Sequence, residues 1–123
     1  MSTLIVGVDR SESSTRAVQL AVRLAVLLDL RLIIAHVIAW SPYSFQTPTE
    51  NESRHRQRES EITAANEQIV VPMVALAAGL EGSVETVIRH GNPSETLLDL
   101  ADEVGAAHVV VGRTGDSGLT VSL

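Results

Sequence analysis

Short, continuous aliphatic runs alternate along this chain with helical stripes, and that alternation limits the fold more than any other feature. Thr3–Val8 is aliphatic and β-branched and stops at Asp9. An unbroken apolar run of this length reads as a strand buried on both faces. Val18, Ala21, Ala25 and Leu28 then fall on one helical stripe, with Arg16, Gln19 and Arg23 off it. Leu32–Ile38 is a second buried strand, Val84–His90 a third, and Ala107–Val111 a fourth. Strand-helix alternation of this kind predicts an open parallel α/β sheet with right-handed crossovers and helices on both faces.

The intervening segments carry their own punctuation. Ser11 is placed to cap the first helix. The stripe Ile62, Ala65, Ile69, Met73, Leu76, Leu80 predicts a long helix whose first half, from Glu50, is polar. Pro72 lies inside that stripe, so the helix must bend there or give way to another. Residues 40–58 form the one candidate disordered stretch. Asn92-Pro93-Ser94-Glu95 combines a cap, a first-turn proline and an acid three residues after the cap. The helix it starts is expected to bury Leu97, Leu100, Ala101 and Val104.

Composition removes several functional classes. The 123 residues suit one domain, 1–123. Cysteine is absent, which excludes disulfides and thiol chemistry. Nine basic residues against 15 acidic ones give a net charge of −6, and aromatics are 2% of the chain. Both argue against a nucleic-acid binder, which needs basic and stacking surface. No apolar run is long enough for a membrane span, and the N-terminus has no signal-peptide pattern. A soluble cytoplasmic protein is the expectation.

Ligands of open parallel sheets bind beyond the carboxyl ends of the strands. Here those ends carry Asp9, the 36–38 segment, His90-Gly91 and the glycine loop Gly112-Arg113-Thr114-Gly115-Asp116-Ser117-Gly118. Glycines permit the close backbone approach that an anion needs, but they also make ordinary tight turns. The loop lacks the lysine ending of a Walker A motif, and it is not the dinucleotide fingerprint. Asp9 has two roles open to it: fastening the next helix together with Ser11, or accepting from a ribose hydroxyl or holding a metal. The four histidines, His36, His55, His90 and His108, show no metal spacing. His36 and His108 read as packed strand residues, His55 as a solvated helix residue, and His90 as a weak site candidate. The basic tract 54–58, flanked by glutamates, reads as a self-paired helix face.

Taken together, Ile5-Val6-Gly7-Val8-Asp9-Arg10-Ser11, His36-Val37, Gly91-Asn92-Pro93 and Val109-Val110-Val111-Gly112-Arg113-Thr114-Gly115 resemble the universal stress proteins over nearly the whole chain. The resemblance implies a Rossmann-like sheet of the adenine nucleotide alpha hydrolase type, with five parallel strands, usually as a homodimer. It also implies ATP binding in many members, with Mg2+ as counter-ion, little or no catalysis, and a role in stress response. By the same resemblance, Val8 and Asp9 flank the ribose, Val37 reads the adenine through its backbone, Val111 and Gly112 line the floor, Gly115 lies at the phosphates, and Arg113 counts among the nucleotide-binding residues.

The chain departs from the family pattern in its last part. ATP-binding members carry Gly, two residues, Gly, nine residues, then Gly followed by Ser or Thr. Gly112 and Gly115 supply the first half, and the second half falls beyond Leu123. The domain is therefore expected to be C-terminally incomplete, without its fifth strand. Losing roughly three or four buried aliphatic side chains removes about 5–10 kcal/mol, and the fourth strand becomes a bare edge. Asp116 also sets a negative charge where phosphate would lie. The alternative function is a dimeric interaction module of the same fold that binds no nucleotide. Slow ATP hydrolysis ranks behind both.

Overall fold

The structure is a computed structural model that describes residues 2–39, 48–80, 83–112 and 119–122. Five strands form one sheet: β1 (Thr3–Gly7), β2 (Arg31–Ala39), β3 (Val84–Gly91), β4 (Ala106–Gly112) and β5 (Leu119–Ser122). Their order is β3-β2-β1-β4-β5. The first four run parallel, as the alternating pattern predicts.

Four α-helices are described: α1 (Glu12–Leu28), α2 (Pro48–Ala65), α3 (Val71–Ala75) and α4 (Pro93–Val104). β1 to β2 to β3 steps one way across the sheet, and β3 to β4 steps back over it. Right-handed crossovers then put α1 and α2 on one face and α4 on the other. The two cores follow this division. Leu4 and Val6 of β1, with Val8 just beyond it, join Leu32, Ile34, Val110 and the α1 residues Ala17, Val18, Ala21 and Ala25. Ile5, Ile33 and Ala35 join Leu100, with Leu97 and Val109 packed against them. Successive residues of a strand point to opposite faces, so one aliphatic run serves both cores.

β5 corrects one expectation. No fifth parallel strand lies among the described residues, but β4 does not end the sheet either. β5 pairs antiparallel with it, Val109 opposite Ser122 and Gly112 opposite Leu119. The exposed N–H and C=O row of β4 gains a partner from the chain that follows. Leu119-Thr120-Val121-Ser122 has the period-two alternation of a strand.

The middle helix also differs from its expectation. Residues 48–58 are helical rather than disordered; positions 40–47 lie outside the described residues. A π-helical turn, Asn66–Val70, separates α2 from α3, and Pro72 falls in the first turn of α3. A proline gives no N–H to the helix and crowds the carbonyl four residues back. The wider π turn just before it absorbs that conflict. Ile69 and Ala65 still reach the core, at 4% and 5% exposure. The tract at 54–58 does pair within its helix: His55 meets Glu59 at 3.0 Å. No helix among the described residues is long and apolar enough to cross a membrane.

α4 opens as its sequence predicts. The Asn92 side chain accepts from the Glu95 N–H at 3.1 Å, and Gly105 ends the helix in the left-handed region. Its burial is narrower than expected, because Val104 is 39% exposed and Leu100 is the one fully buried position. Leu100→Ala should therefore cost about 2–5 kcal/mol, while Leu98→Ala, at a position 57% exposed, should change stability by less than about 0.5 kcal/mol. Urea midpoints of the two variants check this contrast.

Candidate functional site

At the carboxyl end of β1 the chain turns into α1 through Val8-Asp9-Arg10-Ser11. The Asp9 carboxylate organises that turn. Its Oδ1 accepts from the Ser11 N–H at 2.7 Å, from the Ser11 hydroxyl at 2.5 Å and from the Ser14 hydroxyl at 2.9 Å. Ser14 Oγ in turn accepts from the Asp9 N–H at 2.7 Å. Ser11 holds the N-cap position with extended backbone, but its hydroxyl makes no capping bond; it is spent on Asp9. All three of these bonds land on one carboxylate oxygen, and Oδ2 takes none of them.

Partial burial alone would raise the Asp9 carboxyl. The Ser11 side-chain and backbone bonds, the Ser14 hydroxyl and the nearby His36 outweigh it and hold the group below the ordinary carboxylate range. Asp9 is thus ionised at neutral pH, and among the described residues all its hydrogen bonds fall on one oxygen.

Two glycines let neighbouring elements close in. A Cβ on Gly112 would lie 2.7 Å from both the Cβ and the carbonyl oxygen of Ser13, so the end of β4 rests directly on the first turn of α1. A Cβ on Gly7 would lie 2.8 Å from Leu97 Cδ1 and 3.1 Å from Val111 Cγ1. That contact brings α4 down onto the end of β1.

On the α4 side of these strand ends lies an open cavity of about 500 Å³. Val8, Asp9, Val37, Val111 and Gly112 all line it, so the structure brings together five of the seven residues singled out in the sequence. The other two, Arg113 and Gly115, lie outside the described residues, as does Asp116. The far wall is the start of α4, with Pro93, Ser94, Leu97 and Leu98. Sequence reasoning read Pro93, Ser94 and Leu97 only as a helix start and its apolar stripe, and did not single out Leu98. It also missed Ser14, although the Ser-Glu-Ser-Ser cluster after a strand-ending acid was a usable signal.

The histidines go elsewhere. His36 Nδ1 sits 2.6 Å from the Val8 carbonyl, and His90 Nε2 sits 3.0 Å from Glu61 Oε2. His108 keeps its Nδ1 buried without a hydrogen-bond partner. Among the described residues no group of three or more His, Asp or Glu is placed to hold a metal ion.

The Asp9 network sets a pH dependence. Its carboxyl is lowered by folding, so its contribution is complete above the unfolded value of about 3.9 and is lost as pH falls through the lower folded value. Asp9→Asn should destabilise the protein at pH 7, and its deficit against the parent should shrink as pH falls below about 3.9, as read from urea midpoints across the acid range.

The sequence profile described as the Universal stress protein family matches residues 1–122. A solved universal stress protein in complex with cAMP is 32% identical, with a TM-score of 0.57 over 95% of this chain and 76% of that one. A protein from Mycobacterium tuberculosis H37Rv is also 32% identical, with a TM-score of 0.55 over 95% of this chain and 75% of that one. The universal stress protein UspA from Lactobacillus plantarum is 23% identical and shares the fold, with a TM-score of 0.71 over 94% of this chain and 80% of that one. Among curated proteins none is similar enough to count as a match. With its parallel core strands, its crossovers and a family profile spanning almost every residue, this chain belongs to the universal stress protein family.

Proposed function

We propose that the cavity between α4 and the ends of β1 and β4 binds an adenine nucleotide. The observation that carries the reading is Asp9, ionised, on the wall of that cavity with its described hydrogen bonds all on Oδ1. A fixed carboxylate with acceptor capacity left suits a ribose hydroxyl, which donates to it in a charge-assisted bond. Val37, Val109, Val111 and Leu97 supply apolar wall for a flat base, and the backbone of Val37 is assigned to its polar edge. Gly112, whose Cα needs the space next to Ser13, forms the floor. Arg113 and Gly115 are assigned to the phosphates.

The cAMP complex of the 32% identical protein supports a nucleotide in this chain too. ATP is the finer proposal, with Mg2+ carried by the phosphates rather than held by a protein carboxylate cage. Stress response, a cytoplasmic setting and homodimer formation belong to the same reading, and we assign no catalytic step.

Calorimetric titration with cAMP, AMP and Mg-ATP tests it. Saturable heat with at least one of the three is expected, and Asp9→Asn should weaken that ligand by about tenfold or more, the worth of one hydrogen bond to a charged group. No heat with any of them at millimolar concentration would leave the interaction-module reading in its place.

A further inference from the structure

A second cavity, of about 490 Å³, opens at the same end of the sheet but on the α1–α2 face. Asp9 lines both cavities. The rest of its wall is Arg10, Ser11, His36, Glu61 and an apolar side made by Ile38, Ala64, Ala65 and Ile69. None of these apart from Asp9 serves the nucleotide reading.

Polar groups in this second cavity are mostly acceptors. The Val8 carbonyl can only accept, so His36 carries a proton on Nδ1 and donates it at 2.6 Å, which selects the Nδ1–H tautomer of the imidazole. His36 Nε2 is then an acceptor. Asp9 contributes a carboxylate whose described hydrogen bonds all fall on Oδ1. The Glu61 carboxylate takes one donor on each oxygen, Gln57 at 3.2 Å and His90 at 3.0 Å. A carboxylate has about four acceptor sites, so capacity is left there as well. Arg10 is the lone guanidinium of the wall, and it already donates to Gln68 at 2.9 Å.

We infer that this cavity is a second ligand site, for a compact aliphatic ammonium compound. A primary ammonium carries three N–H donors and one positive charge. The polar half of the wall sets two carboxylates and an imidazole against one guanidinium, Arg10, which is already engaged with Gln68, and Ile38, Ala64, Ala65 and Ile69 form a surface for a short hydrocarbon stem. An anion would face Asp9 and Glu61, and a purely apolar guest would leave three acceptors dry. The site shares Asp9 with the nucleotide reading, while His36 and Glu61 line this cavity alone, so titration without nucleotide tests it separately.

n-Butylammonium chloride and butan-1-ol, the neutral partner of similar shape, are the probes, with methyl spectra of isoleucine- and alanine-labelled protein as the readout and no nucleotide present. Saturable shifts of the Ile38, Ala64, Ala65 and Ile69 methyls are expected with the amine, and about tenfold weaker binding with the alcohol. Glu61→Gln should weaken the amine and leave the alcohol unchanged. Equal response to both probes, or shifts that do not saturate or that avoid these four methyls, overturns the assignment.

Discussion

Burial of β1 on both faces is the constraint from which the rest follows. Leu4, Ile5 and Val6 have no exposed surface at all, and neighbouring residues feed opposite cores. Such a strand is stable only in the middle of a sheet with helices above and below it. It sits between β2 and β4, which is where the chain stops building the sheet to one side and begins building it to the other. That reversal leaves a crevice beyond the strand ends. The acid that closes β1 is therefore delivered to the crevice by the same packing that stabilises the sheet.

The turn after β1 converts position into chemistry. Ser11 and Ser14 satisfy one oxygen of Asp9 and keep the group ionised. The fold thereby offers a fixed negative charge with unused acceptor capacity, and it offers it to two cavities on opposite faces. The cavities differ in their second walls. One is closed by α4 and the aliphatic odd positions of β2 and β4. The other is closed by α2 and carries His36 and Glu61.

Much of this was legible in the residues. The aliphatic runs fixed the four parallel strands, and Asn92-Pro93-Ser94-Glu95 marked the start of α4 within the residues it occupies. Five of the candidate site residues meet at one cavity because strand ends are set by periodicity, which sequence displays. What escaped were features that depend on tertiary contact. Whether Ser11 caps its helix or bonds Asp9 depends on how the turn lies against the sheet. The closeness of Gly7 to Leu97 and of Gly112 to Ser13 depends on helix placement. The π turn before Pro72 is a response to strain that the sequence announced only as an interruption. β5 was missed for a different reason: a parallel fifth strand was sought, and four alternating residues after a glycine loop also suit an antiparallel return.

The most direct measurement is a methyl-resolved NMR titration of the protein with AMP. The account predicts saturable shifts at Val37, Leu97, Val109 and Val111, on the α4 face, with Ala65 and Ile69 across the sheet unmoved. Shifts confined to the α1–α2 face, or none at saturating nucleotide, would contradict it.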